Sequence, residues 1–178
     1  MMNPEDREYA KNCAICMSRS IGIAALACFI AFGIIALVSF AGMFVFALDL
    51  AAGGTMVIAI NHVDLSGWTG LLYSLVTAVS MTTLSYSLYN THLFCKSIEH
   101  EQTPFRIENV RTLRHVGYGI EGGALVWGLG TYAIELAFGA PLSNLTATLW
   151  VWAGIIILFI SYVFEYGCAL QEQDDELL

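Results

Sequence analysis

Asp, Glu, Lys and Arg are absent from residues 20–48 and again from residues 65–95. Two further stretches, between Glu121 and Glu135 and between Glu135 and Glu165, also lack charge. A helix crosses a bilayer with about 20 predominantly apolar residues. In hydrocarbon, backbone polar groups must be satisfied by a helix or a closed barrel, and these runs are too long for barrel strands. The expected fold is therefore an all-α integral membrane protein, a single four-helix transmembrane bundle with spans near 21–48, 70–94, 117–138 and 149–170. Composition agrees, because 57% of the 178 residues are hydrophobic and only 12% charged, about half the charged share of an average soluble domain. That excludes a soluble enzyme. The net charge of −8 argues against direct nucleic-acid binding.

Orientation follows from the basic residues. Arg7, Lys11 and Arg19 precede the first span, and Lys96, Arg106, Arg111 and Arg114 lie between the second and third. The segments 49–69 and 139–148 contain none. The positive-inside rule then places both termini and the central segment in the cytoplasm, which leaves 1–20, 95–116 and 171–178 as the cytoplasmic pieces. A signal peptide has an apolar core of about 7–15 residues. The first run here is much longer, so an uncleaved span is expected.

Several local patterns carry chemical options. Cys13 and Cys16 form a Cys-x-x-Cys pair, but no second pair at metal spacing exists, so reduced thiols at a membrane boundary are expected rather than a metal site. Gly53-Gly54 followed by a β-branched run to Asn61 predicts an extended segment at the outer end, with His62 and Asp64 just beyond it facing water. In the second span, Tyr73, Thr77, Ser80, Ser87 and Thr91 share a helical face. Such a stripe either lines a polar pathway or makes hydrogen bonds within the bundle, and packing is favoured. Gly119 and Gly123 form a GxxxG spacing that lets helix backbones approach closely, with a partner in this chain or in a second copy. Glu121, Glu135 and Glu165 fall within or near spans, where acids are functional candidates by default. Each lies about one turn from a span end. Pairing of Glu121 and Glu165 with Arg114, His115 or Lys96 is expected first, and a proton or cation relay second.

The segment from Thr103 to Gly117 reads as a short amphipathic cytoplasmic helix between spans two and three. Thr103 suits its cap and Pro104 its first position. Ile107, Val110 and Leu113 share one face, while Glu108, Arg111 and Arg114 fall elsewhere. Such a helix lies on the inner surface before turning into the third span. Arg106, Arg111 and Arg114 can meet headgroups or the acidic tail of Glu172, Asp174, Asp175 and Glu176.

Pro104-Phe105, Glu108-Asn109-Val110-Arg111, Leu113-Arg114 and Gly117 resemble the central signature of the YoaS-like bacterial four-span membrane proteins, a family of unknown function. Phe164-Glu165-Tyr166-Gly167, with Leu170-Gln171-Glu172 and Asp174, resembles its second signature. Arg106 stands where that family usually carries Ser or Thr, which moves the expected cap to Thr103. The resemblance implies a multi-pass protein of the bacterial inner membrane, whose gene commonly neighbours a small helix-turn-helix regulator. The expected function is accordingly non-enzymatic, of interaction or regulatory type, with the tail as an acidic patch for a small basic DNA-binding partner. No catalytic motif, metal site or cofactor is expected, and a homo-oligomer is compatible with the glycine pattern. Two alternatives remain: a small transporter or channel-forming oligomer using the hydroxyl stripe and the glutamates, and haem or metal binding by His92 and His115 at the inner end.

Overall fold

Pro4 opens the first helix, and nothing interrupts it before Gly53, so α1 runs unbroken over the 49 residues Pro4–Ala52. Its end is set by glycine. Gly53 and Gly54 take positive φ values of 116° and 69°, and Gly54 N–H closes onto Asp49 O at 2.8 Å, a left-handed cap that residues with a Cβ adopt reluctantly. The chain then forms an antiparallel hairpin of β1 (Val57–Ile60) and β2 (Val63–Ser66), with Val57 opposite Ser66 and Ile60 opposite Val63. The extended segment foreseen after Gly53-Gly54 is thus one arm of a ribbon. α2 (Gly67–Glu101) follows directly, then α3 (Ile107–Phe138) and α4 (Thr146–Glu176). This computed structural model describes residues 4–60, 63–101, 106–139, 141–142 and 146–176. Asn61, His62, Thr103 and Pro104 lie outside these, as do the side chains of Asp174, Asp175 and Glu176.

Each of the four apolar stretches lies inside a helix. Among the described residues, three helices are long and apolar enough to cross a membrane, over Asn12–Ala52, Gly67–His100 and Ala147–Gln173. α3 is as long as α4, but its apolar part carries six glycines and the two acids Glu121 and Glu135, and these dilute its apolar character. All four helices overshoot the apolar stretches at the same end, where the N-terminal parts of α1 and α3 meet the C-terminal parts of α2 and α4. That end also carries Arg19, Lys96, Arg106, Arg111 and Arg114, and we call it the basic end.

The amphipathic stretch before Gly117 is not a separate surface helix. It forms the first turns of α3, which continues without a break into the apolar part. Asn109, Val110 and Val116 are buried there, while Ile107 stays 57% exposed, so packing within the protein covers part of its apolar face. The cap also moves. Arg106 is extended (φ −133°, ψ 142°) and occupies the N-cap position without a side-chain cap bond, and Val110 N–H donates to Arg106 O at 3.1 Å.

Packing follows chain order: α1 lies against α2, α2 against α3, and α3 against α4. Small residues make each contact close. On α1, Ser18, Ala25 and Ala36 are buried against α2, and Phe46 closes the far end. α3 presents glycine on two sides. Gly119 and Gly123 face α2, where a Cβ at Gly123 would lie 3.3 Å from Ser80 O and one at Gly119 3.3 Å from Ser87 Cβ. The GxxxG spacing therefore serves a partner within the chain. Gly117 faces α4 instead, with Leu158 N 3.3 Å from its would-be Cβ, and α4 answers with Gly154 pressed on the backbone of Glu121. Between these contacts, Leu84, Val116 and Ile120 form the buried core, with Met81, Ala153 and Ile157 packed on it.

Candidate functional site at the basic end

An ion pair joins α3 and α4 at the basic end. Arg114 Nη2 donates to Glu165 Oε2 at 2.5 Å. Tyr162 precedes Glu165 by about one helical turn, so both side chains share a face of α4. The guanidinium carbon of Arg114 accordingly sits 4.9 Å from the centre of the Tyr162 ring, within cation–π range. The Arg114 side chain is 31% exposed and that of Glu165 43%, so water screens the pair only in part. Arg114 Nε is buried with no partner in the structure. Of the acids expected to be neutralised, Arg114 takes Glu165. Glu121 makes no hydrogen bond or ion pair among the described residues, His115 is exposed on α3, and Lys96 lies away from this pair in the α1/α2 groove.

The other charged candidates surround this pair. Arg106 Nη1 is 4.0 Å from Glu108 Oε2, both well exposed. Arg111 and Glu172 are exposed, and the backbone of α4 stays helical through Asp174, Asp175 and Glu176. Glu135 lies at the opposite end of α3, where its backbone carbonyl accepts Gly139 N–H at 2.8 Å and Gly139 takes the left-handed cap conformation. Glu121 and Glu165 therefore sit toward one end and Glu135 toward the other, too far apart to form one relay.

The hydroxyl stripe of α2 is turned onto backbone. Thr77, Thr82, Thr83, Ser87 and Thr91 each donate to the carbonyl four residues earlier at 2.7–3.0 Å. Asn90 does the same through its amide at 2.8 Å, and Ser85 reaches across to Phe29 O of α1 at 3.0 Å. The stripe offers packing and helix-to-helix bonds, and it leaves few free hydroxyls to line a pathway. Ser80 is fully buried with an unpartnered Oγ.

α1 and α2 are clamped near the basic end by two polar contacts. Ser18 Oγ donates to Cys95 O at 2.8 Å, and His92 Nδ1 lies 2.9 Å from Gly22 O, so this nitrogen carries the proton. Beside the clamp is an almost wholly apolar groove of about 700 Å³ that touches all four helices, with Ile15, Phe94, Leu113 and Ile157 among its walls. Cys13 and Cys16 are exposed free thiols on α1. Among the described residues no three His, Cys, Asp or Glu side chains gather, and His92 is committed to Gly22 while His115 faces outward.

Sequence reasoning singled out Arg114 and Glu165 but missed Tyr162, Gly154 and the Ser18–Cys95 clamp. The Tyr162–Glu165 spacing was a readable signal for the first of these. The other two depend on which helix lies opposite, which no local pattern carries. Comparison of the chain with family models, curated proteins and solved structures found no match.

Proposed function

We propose that the chain is a four-span protein of the bacterial inner membrane with both termini cytoplasmic, and that its basic end is a docking surface for a cytoplasmic regulator rather than a catalytic centre. α3 acts as the fourth span because five of its six glycines, all but Gly122, face α2 or α4 rather than lipid. The observation that carries the docking reading is the charge arrangement around the Arg114–Glu165 pair. An ion pair with a stacked tyrosine fixes α3 to α4, while Arg111 and Glu172 remain exposed beside it. A rigid frame with outward charges of both signs favours selective association with a charged partner. The acids of residues 172–176 suit a small basic helix-turn-helix protein, in line with the YoaS-like resemblance, and the hydroxyl bonds of α2 weigh against a transport pathway.

Affinity purification in mild detergent followed by mass spectrometry tests this reading. A small basic DNA-binding protein should co-purify, and deletion of residues 171–178 should reduce its recovery at least several-fold. No such partner, or recovery indifferent to the deletion, refutes it.

A further inference from the structure

A second polar feature at the basic end lies on the opposite side of the Ser18–Cys95 clamp from the large apolar groove. It is a cavity of about 340 Å³ between α1 and α2, walled by Arg19, His92, Lys96, Glu99 and His100. Arg19 is the last charge before the apolar run of α1, and Lys96 is the first after that of α2. The Ser18–Cys95 and His92–Gly22 bonds set these two cations at one level. Neither has a carboxylate within 4.0 Å among the described residues. The formal side-chain charges of Arg19, Lys96 and Glu99 leave the cavity net positive. His92 commits Nδ1 to Gly22 O, so its Nε2 is the ring atom left for a ligand.

Nearer the membrane centre, the same faces of α1 and α2 border a separate apolar channel of about 510 Å³, lined by Phe29, Leu37, Phe40, Tyr86 and Tyr89, with the Phe29 and Tyr89 rings in contact at 5.5 Å between centroids. On α2 the two parts adjoin, since Tyr89 lies about one turn from His92. The path from His92 to Thr82, the far end of the channel on α2, is about 15 Å of helix, which is the hydrocarbon depth of about one leaflet.

We propose that this groove binds one anionic glycerophospholipid, with its headgroup phosphate between Arg19 and Lys96 and an acyl chain along Phe29, Tyr86 and Tyr89. A cationic head in line with an apolar channel, the two together about one leaflet deep, matches a phospholipid in both charge and shape. Phosphate alone would leave the channel empty, and a zwitterionic lipid would bring a choline or ethanolamine cation against Arg19 and Lys96. Basic residues near a membrane surface each contribute roughly fivefold in affinity for anionic lipid.

The inference rests on the membrane reading above, and the test separates the two. The full chain is solubilised from membranes in mild detergent, and native mass spectrometry follows bound phosphatidylglycerol, phosphatidylcholine and inorganic phosphate at matched concentrations. Phosphatidylglycerol should be retained over the other two, with Arg19→Gln and Lys96→Gln each reducing it about fivefold and their combination by more. Both side chains lack ion-pair partners among the described residues, so the variants should fold, which an unchanged unfolding midpoint in detergent verifies. Equal retention of phosphatidylcholine, equal competition by inorganic phosphate, or indifference to both variants overturns the lipid site. Recovery of the chain in the soluble fraction would instead overturn the membrane reading.

Discussion

Gly154→Ala is the sharpest test of the packing between α3 and α4. The added Cβ would lie 3.0 Å from Glu121 N and 3.2 Å from Glu121 Cα, against an ordinary contact of 3.4–4 Å. Backbone cannot rotate away as a side-chain tip can, so the helices must separate by about 0.5–1 Å. A gap of that size forfeits about a quarter to a half of the dispersion well of each atom pair across it. Overpacking of this kind costs about 1–3 kcal/mol. The intrinsic gain of Ala over Gly in a helix, about 1 kcal/mol in water, largely cancels if the reference is a detergent-denatured state that stays helical. Titration with sodium dodecyl sulfate, followed by tryptophan fluorescence, should place Gly154→Ala about 1–3 kcal/mol below the parent. Gly122 meets nothing within 4 Å, so Gly122→Ala should stay within about 0.5 kcal/mol. Glu121→Gly removes the nearest atom, Glu121 Cβ at 2.9 Å, but leaves N and Cα at 3.0 and 3.2 Å, so it should rescue Gly154→Ala only in part. Equal midpoints for the two alanine variants, or full rescue by Glu121→Gly, would refute the close backbone approach.

Other measurements probe the ends of the molecule. A double-mutant cycle of Arg114→Gln and Glu165→Gln should give a coupling of roughly 1 kcal/mol, the upper range for a half-exposed pair, read from the same detergent titration; zero coupling would contradict the ion pair. Leu65 is completely buried, so Leu65→Ala should cost about 2–5 kcal/mol in that assay, and a neutral result would contradict the seating of the hairpin. Asp49 Oδ1 accepts Thr55 N–H at 3.2 Å and Met56 N–H at 3.0 Å; Asp49→Ala should speed hydrogen exchange at both amides, whereas Asp49→Asn, which keeps an acceptor, should do so less. In single-cysteine variants, a water-soluble maleimide should modify Cys13 and Cys16, which are exposed at the basic end, far faster than the buried Cys95. In whole cells that labelling should require permeabilisation, and rapid labelling from outside would contradict cytoplasmic termini.

The apolar stretches were readable because charges bound them: no local pattern competes with a run as long as residues 20–48. Their helical extensions were not readable. The segments at Cys13 and Arg111 are polar enough to pass for arms and surface helices, and only burial of Asn109 and Val110 against neighbours makes the latter part of α3. Gly119 and Gly123 announced a close contact without naming its partner, since GxxxG states only that two backbones approach. The hairpin was half legible. Gly53-Gly54 and the β-branched run pointed to extended chain, but the return strand Val63–Ser66 has too few residues to signal itself. Arg114 and Glu165 were visible as candidates, and their union required knowing that α3 and α4 run antiparallel at matching heights.

The order of packing bears on how the chain is made. Each helix finds its main partner in the one synthesised just before it, so no helix waits for a distant segment. α1 and α2, joined by the hairpin, can pair as soon as residue 101 has left the ribosome, and α3 then docks its glycines on a surface already in place. Local pairing of this kind keeps loop-closure costs low. A chain stopped after α2 should retain the Ser18–Cys95 clamp, whereas one lacking α2 would leave α1 and α3 without their shared support. Biogenesis of this protein thus hinges on its second helix, which packs on both the first and the third.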